Sequence, residues 1–208
     1  MTQLLLGIAP EWEPSLDNFV AGRNVELLSV LRQTTSAQII YLWGAAGSGK
    51  THLLQAMVAR HACGGVPEAV EVAAVDDVET LDDAAQVALF ELYNRMREQG
   101  GLLLVSGSQA PAHLALRDDL RTRLGWGLVY QVHALNDAEK AEALCQHAGA
   151  RGFDLPPEVV TYLLRHGRRD LPSLLALLDA LDEHCLRLKR LASVPLLKEV
   201  IQQFSELK

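Results

Sequence analysis

Residues 44–51 carry a phosphate-binding loop pattern, G-x-x-x-x-G-K-[ST]. Glycines at this spacing let backbone N–H groups converge on the phosphate oxygens of a nucleotide. The pattern predicts that Lys50 reaches the β- and γ-phosphates and that Thr51 holds Mg²⁺ through its hydroxyl. The residues of this predicted site are Gly44, Ala45, Ala46, Gly47, Ser48, Gly49, Lys50 and Thr51.

The flanking residues predict the elements that hold this loop. Residues 39–43 are apolar and predict a short buried strand, and residues 52–59 predict a helix. A helix that begins at the loop adds its positive end to the phosphate site. This context favours a nucleotide site over the alternative, an ordinary glycine-rich turn between a strand and a helix.

A second apolar segment, residues 69–77, ends in two carboxylates, Asp76 and Asp77. Beside a phosphate loop, this pattern predicts that Asp76 holds the Mg²⁺ shell and that Asp77 positions or polarises the attacking water. Without the loop, the same residues would indicate only an acidic strand end before a turn.

Two further polar residues follow predicted elements of the same region. Ser108 follows the predicted strand 102–106, where residues face the ligand crevice of an α/β sheet. It is a candidate γ-phosphate sensor or a plain turn serine. Arg123 ends a short charged helix, residues 116–123, beside a Gly-Trp-Gly turn. The Arg123 side chain either belongs to the solvated surface or projects outward toward a neighbouring subunit.

The order of predicted elements indicates a parallel α/β domain followed by a helical domain. Strands at 39–43, 69–77, 102–106 and 128–132 alternate with helices at 52–59, 84–98 and 116–123, after a first helix at 25–33. After residue 135 only helices are predicted, at 138–150, 156–166, 171–191 and 195–204. The predicted domains are a peptide and linker at 1–14, an α/β nucleotide-binding base at 15–134 and a helical lid at 135–208.

Composition restricts the possible partners and location. The 208 residues carry a formal net charge of −7, which argues against strong direct nucleic-acid binding through a basic surface. No apolar run approaches the roughly 18 residues of a membrane span, so no membrane contact is expected. The three cysteines fit no zinc spacing, and the first residues lack the basic region of a signal peptide. These features predict a cytoplasmic protein.

The first eight residues are apolar apart from Thr2 and Gln3, and a linker with Pro10 and Pro14 follows them. An apolar peptide ahead of a stiff linker predicts either an edge strand or a docking peptide. Composition alone favours the edge strand.

Residues 16–24, the phosphate loop, residues 75–77 and residues 119–127 together resemble the AAA+ ATPases, and within them the DnaA-like family. The resemblance covers nearly the whole chain from Ser15. It implies an α/β AAA+ P-loop NTPase fold that binds ADP or ATP with Mg²⁺, and it puts an arginine finger at Arg123. The further nucleotide-binding residues are expected to be Phe19, Val20, Gly22 and His52.

Two features are similar to the short regulators of this family. The sequence ends soon after the predicted lid, so a helix-turn-helix DNA-binding domain is not expected after it. In addition, Gln3, Leu4, Leu5, Leu6 and Ile8 resemble a sliding-clamp-binding peptide, which replaces the edge strand as the favoured interpretation. The partners thus implied are the sliding clamp of DNA polymerase III (its beta subunit) and DnaA, whose ATP hydrolysis the chain would stimulate. A homodimer is a further possibility.

Three departures from the family pattern bear on the chain's own activity. Pro172 stands where the family has its second sensor arginine, so that Arg168 or Arg169 would have to substitute. Ser108 stands where DnaA has an acidic first sensor. The segment before Val70 is too short for a further strand and helix of the family. The first two departures favour a nucleotide-binding regulator over the alternative, an autonomous AAA+ ATPase or helicase-loader-like motor.

Overall fold

A computed structural model describes residues 13–64, 70–168 and 170–206, with side chains to residue 202. These residues contain one sheet of four parallel strands in the order β2-β3-β1-β4. The strands are β1 (Gln38–Trp43), β2 (Val72–Val75), β3 (Leu102–Gly107) and β4 (Leu128–Gln131). Because the strands are parallel, their carboxyl ends meet at one edge of the sheet, and the residues that follow them are brought together there.

Helices precede and connect the strands. They are α1 (Val25–Gln33), α2 (Lys50–Ala62), α3 (Asp83–Gln99) and α4 (Asp118–Leu124). The Asp82 side chain caps α3 by accepting a hydrogen bond of 2.8 Å from the Ala85 N–H.

Both faces of the sheet are covered, which explains why its strands are almost continuously apolar. On one face, Tyr41 and Leu103 pack against Tyr93 of α3 and Leu120 of α4. On the other face, alternate residues such as Leu42 are also completely buried. The predicted α/β class with a parallel sheet is confirmed.

The chain continues as four helices, α5 (Asp137–Ala150), α6 (Pro157–His166), α7 (Leu171–Leu188) and α8 (Val194–Glu206). They share one apolar core that includes Leu144, Leu163 and Leu181. At the start of α5, Asn136 and Glu139 form a reciprocal capping box that satisfies two backbone N–H groups. The predicted all-helical domain after the sheet is confirmed.

The predicted helix 171–191 is three residues too long. It ends at Leu188 because Lys189 adopts the left-handed conformation, with φ of 52°. The N–H of Arg190 then bonds to the carbonyl of Cys185 at 3.1 Å, a return contact typical of helix ends. Periodicity did not predict this end because Leu191 continues the apolar pattern of the helix.

The chain forms two compact units. The first comprises the segment up to Phe19, Glu26–Trp43 and Gly49–Gln131, and the second comprises Val20–Val25, Gly44–Ser48 and the chain from Val132. The division crosses the phosphate loop between Ser48 and Gly49. The domain limits at 14/15 and 134/135 stay predictions.

Within the described ranges, no helix is both long enough and apolar enough to cross a membrane.

Candidate functional site

The second half of the phosphate loop belongs to the first unit and begins α2. Gly49 has a φ of 99°, which an L side chain rarely adopts, and a Cβ at this position would lie 2.7 Å from the Phe19 ring. The Gly49 carbonyl accepts a hydrogen bond of 3.0 Å from the Leu53 N–H, which starts the helical pattern. Glycine here therefore allows both a left-handed turn and close ring contact at the beginning of the helix.

The first half of the loop belongs to the second unit. Gly47 is also left-handed, with a φ of 75°, and the Ser48 N–H donates a hydrogen bond of 3.2 Å to the Ala45 carbonyl. The Ser48 hydroxyl is buried and has no hydrogen-bond partner among the described residues. A buried polar atom without a partner is costly, so this hydroxyl fits a site that a polar ligand completes. The loop is thus suited to a nucleotide phosphate.

Asp76 lies at the carboxyl end of β2 and joins two hydroxyl groups. The Thr51 hydroxyl donates a hydrogen bond of 2.5 Å to one oxygen of Asp76, and the Ser106 hydroxyl donates to the other. Hydroxyl and carboxylate oxygens are the ligands that Mg²⁺ prefers. Thr51 and Asp76, both predicted as metal-site residues, are therefore neighbours with suitable chemistry for that ion.

Asp77 lies next to Lys50 in a left-handed conformation, with φ of 46°. Its carboxylate is 4.0 Å from the Lys50 ammonium, which is itself buried. Partial burial raises the pKa of Asp77, and the negative charges of Asp76 and Glu79 raise it further, against the opposing effect of Lys50. The carboxylate thus lies in an environment that favours its protonated form more than water does.

Ser106 is a residue that sequence analysis missed. It is completely buried near the end of β3, donates to Asp76 and accepts a hydrogen bond of 3.0 Å from the Asp77 N–H. Ser108, the predicted sensor, is exposed two residues later, and its sensor role stays a prediction. The available signal was a single hydroxyl inside the apolar strand sequence Leu-Leu-Leu-Val-Ser-Gly, where a buried polar group needs a partner.

The predicted nucleotide-binding residues outside the loop divide between the units. In the first, the Phe19 and His52 rings have centroids 5.5 Å apart, and His52 Nε2 lies 2.9 Å from the Ser15 carbonyl oxygen. In the second, Gly22 has a φ of 47° and lies against Leu135, and Val20 is half-buried. The structure thus joins Phe19 and His52 at Gly49, and the base-pocket roles stay predictions.

Arg123 is half-buried at the end of α4, and its guanidinium is held by aromatic rings. Its Cζ lies 5.1 Å from the Phe90 ring centroid, 5.7 Å from that of Tyr93 and 5.3 Å from that of Trp126. It also donates a hydrogen bond of 2.5 Å to the Asn94 side chain. The guanidinium therefore does not project freely into solvent, although the position at the helix end is as predicted.

The remaining predicted residues lie in the lid or at the N-terminus. Pro172 is exposed in the first turn of α7, and Arg168 is exposed just before that helix. Arg169 lies outside the described residues, as do Gln3, Leu4, Leu5, Leu6 and Ile8. Their sensor and docking roles stay predictions.

Comparison with solved structures identifies the fold. Domain III of the Thermotoga maritima replication initiation protein DnaA superposes with a TM-score of 0.71 and 18% identity. The match covers 92% of this chain and 97% of the DnaA domain. AMPPCP-bound DnaA from Aquifex aeolicus matches 80% of this chain and 65% of its own, at 22% identity and a TM-score of 0.62. The T. maritima RuvB Holliday junction branch migration motor, at 15% identity, has a TM-score of 0.64 over 91% of this chain and 71% of its own. The fold is that of an AAA+ protein.

Sequence comparisons identify the family. The family described as "Hda, lid domain" matches residues 137–201. An uncharacterized protein of Haemophilus influenzae is 33% identical over an alignment of 226 positions. The alignment covers 96% of this chain and 98% of the relative. The chain belongs to the Hda/DnaA-like AAA+ proteins, a family of replication-initiation regulators.

Proposed function

We propose that this protein is a nucleotide-binding regulator of chromosomal replication initiation that stimulates ATP hydrolysis by DnaA through Arg123. In this proposal the protein docks on the sliding clamp of DNA polymerase III through residues 3–8 while it acts. The result is negative regulation of initiation, because hydrolysis converts the ATP-bound initiator to its ADP-bound form.

The position of Arg123 in the first unit is the observation that carries this proposal. Arg123 precedes the amino end of β4, which pairs in parallel with β1. Lys50 and Thr51 follow the carboxyl end of β1, at the opposite edge of the sheet. The six residues of β1 rise by roughly 17–20 Å, which is longer than one arginine side chain. Arg123 is therefore better suited to a phosphate bound by another protein than to one on its own loop.

A guanidinium supplied by a second protein stabilises the charge that develops on a transferring phosphoryl group. In GTPase systems this contribution increases the rate by roughly 10³–10⁵. A planar group with several donors suits this task because it contacts phosphate oxygens through paired hydrogen bonds. To act in this way, Arg123 exchanges its hydrogen bond with Asn94 for contacts with the partner's nucleotide.

The chain's own loop is proposed to bind ADP or ATP. Its backbone N–H groups and Lys50 bind the phosphates, and Thr51 and Asp76 hold Mg²⁺, which neutralises phosphate charge when it is bound. The buried Ser48 hydroxyl and the two left-handed glycines support this assignment. The departures at Pro172 and Ser108 favour a nucleotide that stabilises the protein surface over one that is rapidly hydrolysed.

The proposal is tested by following phosphate release from ATP-loaded DnaA in the presence of clamp, DNA and this protein. We expect Arg123→Ala to retain clamp and nucleotide binding and to lose the stimulation, by a factor of roughly 10³ if the GTPase range applies. Arg121→Ala is the matched control, because Arg121 is on the same helix and already pairs with Asp118 at 2.7 Å. Full stimulation by Arg123→Ala would refute the assignment of Arg123 as the arginine finger.

A second candidate is an autonomous AAA+ ATPase or helicase-loader-like motor. The assembly of Lys50, Thr51, Asp76 and Asp77 around the loop favours this alternative. It requires nucleotide turnover by the purified protein without partners, and Lys50→Ala would then remove that turnover. If the purified protein hydrolyses ATP in this way and has no effect on hydrolysis by DnaA, the motor function is supported and the proposed function is refuted.

A further inference from the structure

The first unit contains a cleft of about 480 Å³ at the amino ends of β1 and β4. Its lining includes Gln38, Ile39, Leu128, Tyr93, Trp126 and Arg97. The phosphate loop follows the carboxyl end of β1, so the cleft and the loop lie at opposite edges of the sheet. The cleft is therefore a surface distinct from the chain's own predicted nucleotide site.

Trp126 forms an exposed wall of this cleft and lies close to two guanidinium groups. The residue is 62% exposed, and the Cζ atoms of Arg97 and Arg123 lie 5.6 Å and 5.3 Å from its ring centroid. An exposed indole leaves a large apolar area in water, and such rings are enriched where proteins bind partners. The Trp126 ring thus connects the cleft directly to the proposed finger.

Arg97 differs from its neighbours in charge pairing. Arg95, on the same helix, pairs with Glu71 at 3.0 Å, and Arg117 pairs with Asp119 at 2.8 Å. Within the described ranges Arg97 makes no ion pair, and its guanidinium lies over the Trp126 ring. The positive charge of Arg97 at this cleft is complementary to a carboxylate. It is an unpaired cation in a chain that has 26 acidic and 19 basic residues.

We infer that this cleft is a docking site for a segment of DnaA that presents a carboxylate next to an apolar side chain. Arg97 pairs with the carboxylate, and the apolar side chain packs on Trp126 between Ile39 and Leu128. The inference rests on the proposed function, because DnaA is its partner and Arg123 shares the Trp126 ring. A nucleic acid is the less favoured occupant, since the net charge of −7 repels a polyphosphate and the cleft offers one unpaired arginine.

The two arginines then have different roles. Arg97 determines how fast and how tightly the partner binds, because a charge at the edge of an interface mainly changes the association rate. Arg123 determines the hydrolysis rate after binding. Arg97 is a docking residue, and Trp126 orients both guanidinium groups.

The experiment compares wild type with Arg97→Glu and Arg97→Gln, and Arg95→Gln is the matched control on the same helix. Association with immobilised ATP-loaded DnaA is measured at low and high salt, and phosphate release is titrated with each variant. We expect Arg97→Glu to slow association about tenfold at low salt, with a smaller difference at high salt. The concentration for half-maximal stimulation rises accordingly, and the maximal rate is unchanged.

Several results would overturn the inference. They are association by Arg97→Glu at the wild-type rate, an equal loss with Arg95→Gln, or a lower maximal rate at unchanged half-saturation. Binding of a fluorescent single-stranded oligonucleotide that depends on Arg97, without an effect on DnaA, would assign the cleft to nucleic acid instead. If wild type binds DnaA through Arg97 but gives no stimulation, the proposed function fails and the docking site stands.

Discussion

Asp76 shows how one carboxylate can organise a site. Thr51 and Ser106 each donate a hydroxyl hydrogen bond to it, and the Asp77 N–H is held by Ser106 at 3.0 Å. These contacts fix the orientation of the Asp76 carboxylate beside Thr51. At the neighbouring Asp77, desolvation and the negative charges of Asp76 and Glu79 raise the pKa and act against the charged form.

The raised pKa of Asp77 predicts a pH-dependent stability effect. A carboxyl group whose pKa is raised by folding binds protons more readily when folded, so its ionisation destabilises the fold as pH rises through the folded pKa. We expect Asp77→Asn to melt at a higher temperature than wild type at pH 7, because asparagine removes the like charge and tolerates the left-handed conformation. The difference should disappear once the pH falls below the ordinary aspartate value of 3.8.

This prediction is checked by melting curves of the nucleotide-free protein in EDTA between pH 3 and pH 8. Glu79→Gln is a useful control, since Glu79 raises the pKa of Asp77 less than Asp76 does and its removal should give a smaller gain. Lower stability of Asp77→Asn at pH 7 would show that the pair with Lys50 outweighs the repulsion.

Among the elements, α5 and α7 are joined by a partly buried ionic network. Arg151, at the end of α5, lies 3.3 Å from Asp179 and 3.1 Å from Asp182 of α7, and His147 lies 2.7 Å from Asp179. Asp182 is only 8% exposed, and its carboxylate pairs with Arg151. Removal of one member of such a network is costly because the remaining charge stays buried.

We expect Arg151→Met to lower the free energy of unfolding by about 2–3 kcal/mol. This loss is smaller than that for breaking a fully buried ion pair, because the Arg151 side chain is about one third exposed. Asp182→Asn in the same chain should recover part of the loss, since it removes the unpaired charge. Urea unfolding followed by circular dichroism measures both effects. Arg187→Met, an exposed arginine on α7, is the control and should change stability by less than about 0.5 kcal/mol. A loss of equal size in the control would indicate a general effect of charge.

At the scale of the whole molecule, the proposed activities are carried by separate parts of the chain. The predicted clamp peptide lies in residues 1–8, the phosphate loop in residues 44–51, and Arg123 in the last turn of α4. Clamp docking would raise the local concentration of Arg123 near DnaA without adding to its chemistry. The parts should therefore be separable by mutation.

Deletion of residues 1–8 is expected to abolish clamp binding and to leave nucleotide binding intact. Stimulation of DnaA on clamp-loaded DNA should fall to the level measured without clamp, because the effective concentration supplied by docking is lost. Surface plasmon resonance with the clamp and titration with a fluorescent ADP analogue measure the two affinities. The double substitution Leu5→Ala and Leu6→Ala should reproduce the deletion. Unchanged clamp affinity in the truncated protein would refute the docking peptide.

Local sequence determined most of the fold. Apolar runs of strand length, helical periodicity and capping residues such as Asp82 and Asn136 act over a few neighbours, and the predicted strands and helices are present in the described residues. The loop between β1 and α2 and the acidic end of β2 were predictable for the same reason, since both patterns extend over a few residues. Their roles as phosphate and metal sites stay predictions. The end of α7 was missed because the left-handed conformation of Lys189 has no periodic signal.

Tertiary structure decided which side chains meet. Ser106 and Asp76 are 30 positions apart, and parallel pairing of β2 and β3 joins them. In the same way, the rings that surround Arg123 come from α3 and from the Gly-Trp-Gly turn, and Arg97 reaches Trp126 from α3. Residue types and spacing specify a local conformation, whereas contacts between distant segments depend on strand order, register and helix packing. The sequence alone thus determined the strands and helices around a phosphate-loop pattern, whereas the Asp76 hydroxyl pair and the Arg97–Trp126 cleft arise only in the folded chain.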